Sequence, residues 1–254
     1  MDKVSLRSAL SNQNFDSSMR STRHFGVENI ILQIIMGFFL ADFLSGLFHW
    51  FEDTYLDYCI DNSILKETSQ ANEMHHYFPR ALLKESYLTN IELTTKLSIL
   101  LFIFIYLCNN EIIFNYKYLF IILFIFSSIA PLIHRITHMR SCEKSKYILF
   151  LQNIGIISSN EHHGKHHIKG DINYCINTPY LNLILDSIYF WRILESIIYG
   201  ISGLKPIRKG QYNYYKPIHM KYHEQSNQEC PPVINNNDYD ILKNKLDQFK
   251  KCPL

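Results

Sequence analysis

The sequence contains no Cys-x-x-Cys pair, no glycine-rich phosphate loop, no Ser/His/Asp arrangement around a nucleophile, and no haem or flavin signature. Its six cysteines, Cys59, Cys108, Cys142, Cys175, Cys230 and Cys252, are scattered. In a chain of 254 residues that scatter argues against a disulfide scaffold and suits a reducing compartment. The formal charge is only +2, and the Lys and Arg residues are dispersed, so there is no electrostatic footprint for nucleic acid. No internal repeat is present, and no cleavable leader is expected, because the first apolar run begins near Ile30 after a polar stretch. Any redox chemistry would have to draw its electrons from a separate protein, since the chain has no flavin or haem motif of its own.

What is present is unevenly distributed. Mean hydropathy is −0.07, a value typical of a soluble protein, yet the apolar residues are bunched into a few runs. Residues 1–26 are polar, with Arg7, Arg20 and Arg23, and read as an N-terminal arm. From about Val27 to Phe51 the chain turns apolar for long enough to cross a bilayer, which takes about 20 residues. Asp42 and His49 interrupt that run, and ionisable groups at such depth face the protein interior and mark function. A second run spans about Leu93–Cys108 and a third about Ile112–Ile133, joined by the polar link Asn109-Asn110-Glu111 as a helical hairpin. Three to four crossings are expected, with a re-entrant piece in the first run as the variant. This topology puts His49, the loop 52–91 and everything after Ile133 on one face of the membrane. Leu183–Ile201 has helical periodicity and interfacial aromatics, which suits the membrane surface. Residues 208–254 are Asn/Lys-rich and read as a loosely structured polar tail.

All the histidines of interest fall on that one face. Ser158–His167 carries four imidazoles in six residues, His162, His163, His166 and His167. At about 100° per residue these occupy a sector of roughly 140° on a helix. His49 with Asp53 and His134 with His138 repeat the i,i+4 spacing, and His75 adjoins His76. Nine histidines and one carboxylate exceed what one ion uses, so two ions with four or five ligands each account for the count. Imidazole suits iron, zinc, copper or nickel. Intrinsic affinity favours zinc over ferrous iron, whereas oxygen chemistry on a lipid chain beside a membrane favours iron. His219 and His223 also have i,i+4 spacing but lie in the tail, and His24 lies in the arm, so none of the three is nominated. Trp50 and Trp191 are read as interfacial anchors, with a lipid-channel lining as the alternative.

These residues stand in ordered boxes. Ala41–Thr54 resembles the opening signature of the plasmanylethanolamine desaturase family, also called Kua-like or CarF-like lipid desaturases. Glu73-Met74-His75-His76-x-x-Pro79 is similar to its second box, His134-Arg135-x-x-His138 to its third, and His162-His163-x-x-His166-His167 to its fourth. Tyr174-Cys175-Ile176-x-Thr178, Leu181-Asn182, Phe190-Trp191-Arg192-x-Leu194-Glu195 and Gly203-x-Lys205-Pro206 continue the resemblance, which covers roughly residues 38–207. There are departures: Tyr55-Leu56 replace the family's Trp-Gly, Asn72 replaces an Arg, and Ser159-Asn160-Glu161 replace basic residues. None removes an expected ligand.

The resemblance implies an all-α integral membrane protein with a histidine-rich, metal-binding helical lobe on one face, carried by residues 27–207. It implies a di-iron, O2-dependent desaturase that converts the alkyl ether of a plasmanyl phospholipid into the vinyl ether of a plasmalogen. A cytochrome b5-type or other donor protein would supply electrons. The ligands implied are His49, Asp53, His75, His76, His134, His138, His162, His163, His166 and His167, with Asp186 as a supporting acidic residue. The location implied is the endoplasmic reticulum in a eukaryote or the inner membrane in a bacterium. The alternatives are an acyl-lipid desaturase, a hydroxylase with the same kind of site, and a membrane zinc-binding or interaction protein without turnover.

Overall fold

The computed structural model describes residues 27–207 and 236–250, whose regular elements are all helices, with no strand among them. The first helix, α1 (Val27–Tyr55), is continuous over 29 residues. The variant with a re-entrant piece in this run therefore does not hold. At 1.5 Å per residue it is about 44 Å long, against about 30 Å of bilayer hydrocarbon, so one end projects. His49 and Asp53 lie near that end.

Two further helices are long and apolar enough to span, α3 (Tyr87–Cys108) and α5 (Lys117–His138). Between α1 and α3 come α2 (Ser63–Tyr77) and a short 3-10 turn, Pro79–Leu83. The link between α3 and α5 holds an extra helix, α4 (Asn110–Asn115), where the sequence suggests only a polar turn. Asn109 makes the difference: it ends α3, and its side chain accepts from Ile112 N (3.3 Å) to start α4. Pro131 lies inside α5 without ending it, and the helix runs on to His138, carrying His134 and His138 beyond the apolar stretch.

The spans are packed closely. A Cβ at Gly37 would lie 2.5 Å from Leu119 O, so glycine there lets the backbones of α1 and α5 approach closely. Gln33 secures the far end of the pair by donating to Asn115 O and accepting from Tyr118 N. Thr94 Oγ1 ties α3 to α5 through Ser128 O (3.0 Å). On the histidine side, Arg135 of α5 donates to the carbonyls of Leu82 (3.1 Å), Leu83 (2.8 Å) and Glu85, clasping the segment that follows α2.

Beyond α5 the chain forms α6 (Lys146–Asn153), α7 (Asn160–Lys169), α8 (Tyr180–Ser187) and α9 (Phe190–Ser202). The Leu183–Ile201 stretch is thus two helices, broken where Tyr189 adopts a left-handed backbone (φ 54°). Within the expected loose tail, Asn236–Lys250 forms α10. Its Leu246 is buried with Tyr58, Met74 and Tyr77, and Asp247 accepts from the Tyr58 hydroxyl. Cys59 and Cys142 are each in a disulfide, against the expectation of unpaired thiols, while Cys108 and Cys175 are free. His24, His219 and His223 lie outside the described residues.

Candidate metal centre

The fourth histidine box becomes α7 because its ends are capped. Ser159 accepts from His162 N (3.1 Å), and Gly170 closes the helix in the left-handed conformation (φ 74°), donating to His166 O. On this helix His163, His166 and His167 turn inward. They meet His49 and Asp53 at the end of α1, His75 and His76 at the end of α2, and His134 and His138 at the end of α5.

Two groups result. His75, His134, His138, His163 and His167 form one, and His49, Asp53, His76 and His166 the other. Within each group every residue offers a ligand atom that lies within 4.8 Å of the others. In the first, the Nε2 atoms of His134 and His163 are 2.8 Å apart, those of His138 and His134 3.2 Å, and those of His167 and His163 3.0 Å. Ligands about 2.1 Å from one ion and roughly at right angles to one another stand about 3 Å apart, so this convergence suits a metal shell. Burial, and after it the neighbouring imidazoles, holds His75, His163 and His167 well below the usual histidine range. They are therefore neutral, the form that binds metal.

The second group makes the case by acceptor against acceptor. His166 Nδ1 donates to Ile172 O (2.8 Å) and His49 Nδ1 to Tyr174 O (3.1 Å), which leaves both Nε2 lone pairs facing inward. Those nitrogens lie 3.0 Å and 3.5 Å from Asp53 Oδ2, and no hydrogen-bond partner satisfies them. Lone pairs facing a carboxylate in a buried site repel unless a cation lies among them. Asp53 Oδ1 is 2.9 Å from His76 Nε2 and also accepts from Asn72 Nδ2 (2.9 Å). Protonating three imidazoles around one carboxylate would bury excess charge, whereas a divalent ion satisfies all four residues.

His162 is the nominated residue that the fold does not bring in. It lies at the edge of the α7 sector, and its Nε2 is 2.9 Å from Asn182 Nδ2 on α8. Asn182 is itself committed to the loop before α8, accepting from Cys175 N and donating to Cys175 O, both at 2.8 Å. Asp186 accepts from Asn173 N (3.0 Å) and so braces the residue preceding Tyr174, whose carbonyl orients His49. Burial raises its pKa.

Several supporting residues were not nominated from the sequence. Asn72 lies three and four residues before His75 and His76, so helical spacing alone was a usable signal for it. Asp42 accepts from Asn177 N (3.0 Å), Thr178 N (3.1 Å) and Thr178 Oγ1 (2.6 Å), anchoring the loop that presents Tyr174. Trp50 and Trp191 are buried and stacked on each other (5.8 Å between centroids), not anchored at an interface. Trp50 Nε1 donates to Glu195 (3.2 Å), which also pairs with Arg192 (2.7 Å).

Comparison with known proteins gives the family. The lipid desaturase domain profile matches residues 38–209. A probable fatty acid desaturase of Acanthamoeba polyphaga mimivirus is 32% identical over 72% of this chain and 88% of its own length. Plasmanylethanolamine desaturase 1 of Mus musculus is 32% identical over 70% of this chain and 68% of its own. Plasmanylethanolamine desaturase of Myxococcus xanthus is 26% identical over 73% and 66%. No solved structure matches. With its spans, its ordered histidine boxes and this match over most of its length, the chain is an all-α membrane protein of the lipid desaturase domain family.

Proposed function

We propose that the protein is an O2-dependent desaturase that introduces the vinyl ether double bond of plasmalogens, acting on the alkyl ether of a plasmanyl ethanolamine phospholipid. The observation that carries this reading is the pair of ligand groups, five imidazoles beside three imidazoles and a carboxylate, assembled where the ends of two membrane-crossing helices, α1 and α5, meet α2 and α7. His75, His134, His138, His163 and His167 would hold one ion, and His49, Asp53, His76 and His166 the other. Two irons would supply the one-electron chemistry with O2 that removing hydrogen from an unactivated carbon requires.

The chain's own contribution is position and exclusion. The Tyr174 and Ile172 carbonyls fix the tautomers of His49 and His166, so their Nε2 atoms stay available as ligands. Asn72 holds Asp53 in one orientation. Trp50, Trp191 and Tyr174 pack as an apolar wall on the His49 and His166 side, which keeps water from the reacting carbons. The unit that does this is residues 27–207, flanked by 1–26 and 208–254. Electrons come from a separate donor of the cytochrome b5 type. The membrane is that of the endoplasmic reticulum in a eukaryote or the inner membrane in a bacterium.

A second reading has specific support. The mimivirus relative and three Arabidopsis thaliana relatives are named fatty acid desaturases, which favours an ester-linked chain as substrate. Lipid mass spectrometry separates the two. Cells lacking plasmalogens, fed an alkylglycerol and expressing this chain, are expected to accumulate acid-labile plasmenyl lipid, and cells with His163→Ala none. A new double bond confined to ester-linked chains would move the assignment to the acyl-lipid desaturase. Neither product, from protein found in the membrane, would refute the desaturase reading.

A further inference from the structure

The lobe that carries the histidines has two unlike outer sides. On α7 the outward residues are Glu161, Lys165 and Lys169, with Ile168 among them, and on α2 Lys66 and Glu67 are exposed. Helices α8 and α9 are arranged the other way round. Their charged residues and Asn182 point in: Asn182 and Glu195 are buried, and Asp186 and Arg192 half-buried. Their outward ridge is Leu183, Ile184, Ile188, Ile193, Ile197 and Ile201, with exposures from 51% to 84%. A helix pair with its charges inside and its aliphatics outside is built for an apolar surrounding, and the ridge is too large for scattered surface residues.

Where this ridge lies follows from its contacts with α1. Phe190 packs on Phe43 (5.6 Å between centroids), Glu195 meets Trp50, and Ile207 N donates to Thr54 O (2.6 Å). Helix α9 therefore runs beside the last turns of the first span. On the far flank of the bundle, Thr94 of α3 is tied to Ser128 of α5, and α5 is level with α1 through Phe38–Phe126 (4.6 Å) and His49–His134 (5.2 Å).

The connection before α8 is compatible with this depth. Residues 173–178 are non-helical and buried, and an irregular backbone at membrane level is tolerated only when its polar groups are satisfied by protein. Here they are. Asn173 N goes to Asp186, Cys175 N to Asn182, Ile176 N to Ser45 Oγ, and Asn177 N and Thr178 N to Asp42.

We propose that α8 and α9 form an interfacial hairpin whose aliphatic ridge is seated in the acyl chains of the leaflet on the histidine side. It is a fourth membrane contact, continuous with the lipid-facing surface of α1. It rests on the spans and the burial pattern alone and is independent of which metal or substrate the site takes.

The test uses the full chain, with Cys108→Ser to remove the exposed free thiol among the described residues, reconstituted in phosphatidylcholine vesicles. Ile193→Cys, Ile197→Cys and, as a control on α7, Lys165→Cys are each labelled with an environment-sensitive fluorophore. Each is then quenched either by nitroxide-bearing phosphatidylcholine or by aqueous iodide. The probes on α9 are expected to be quenched several-fold more strongly by the lipid nitroxide than by iodide, and the Lys165→Cys probe the reverse. Iodide quenching of the α9 probes equal to that of the control would overturn the proposal. Shielding of those probes from both quenchers would also overturn it, since a second copy or another protein would then cover the ridge.

Discussion

Replacing Asp42 with alanine tests how the membrane-depth carboxylate serves the histidine site. Asp42 accepts three buried hydrogen bonds from Asn177 and Thr178, and no other acceptor is in place for the two backbone N–H groups. A hydrogen bond to an ionised group contributes about 1.5–3 kcal/mol, and three that share one carboxylate are not additive, so Asp42→Ala should cost about 4 kcal/mol. At about 2–4 °C per kcal/mol for a chain of this size, that is a fall in Tm of roughly 8–16 °C. Asp42→Asn keeps an oxygen for both N–H groups, and the Thr178 hydroxyl can turn to accept, so it should cost about 1–2 kcal/mol. Intrinsic tryptophan fluorescence in nanodiscs is a suitable assay, because the only two tryptophans, Trp50 and Trp191, stack beside this loop. The loop also holds the Tyr174 carbonyl against His49, so metal affinity should fall about 10–100-fold in Asp42→Ala. An alanine variant within about 2 °C of the parent, or an asparagine variant as damaged as alanine, would refute the reasoning.

The histidines divide by the same logic. His163→Ala and His166→Ala should abolish desaturation and each lose about one ion per chain by elemental analysis, while leaving the protein in the membrane. His162→Ala should retain both ions and most of the activity, since that ring reaches Asn182 and neither ligand group. Removing metal with a chelator should lower Tm, and restoring it should recover the value, because ligand binding to the native state alone stabilises it; an unchanged Tm would count against a metal in both groups. Arg135→Ala strips three carbonyls of their donor and should cost about 2–4 kcal/mol, with faster proteolysis in the Leu82–Glu85 segment. Arg135→Lys should restore little of this, because a single ammonium does not replace the guanidinium fork.

The sequence by itself determined the membrane spans, since length and apolarity are local properties and a run such as Leu93–Cys108 has no other stable use for so many exposed aliphatics. It also determined which residue types form the site, because i,i+4 spacing puts His134 beside His138 and His163 beside His167 whatever the helices pack against. Limits of the same local reading show at Leu183–Ile201, where the periodicity continues across a break that one left-handed residue, Tyr189, imposes. Only the tertiary structure decided how the imidazoles are shared out, five to one group and three with Asp53 to the other. That partition depends on the relative rotation and height of α1, α2, α5 and α7, which no spacing within one helix encodes. The same is true of His162, 40° of helix turn from His166 yet outside both groups because Asn182 of α8 stands in front of it. Asp42 and Trp50 are further cases: each is an anomaly in an apolar run until partners about 130 or more residues away, Thr178 and Glu195, show what each one holds in place.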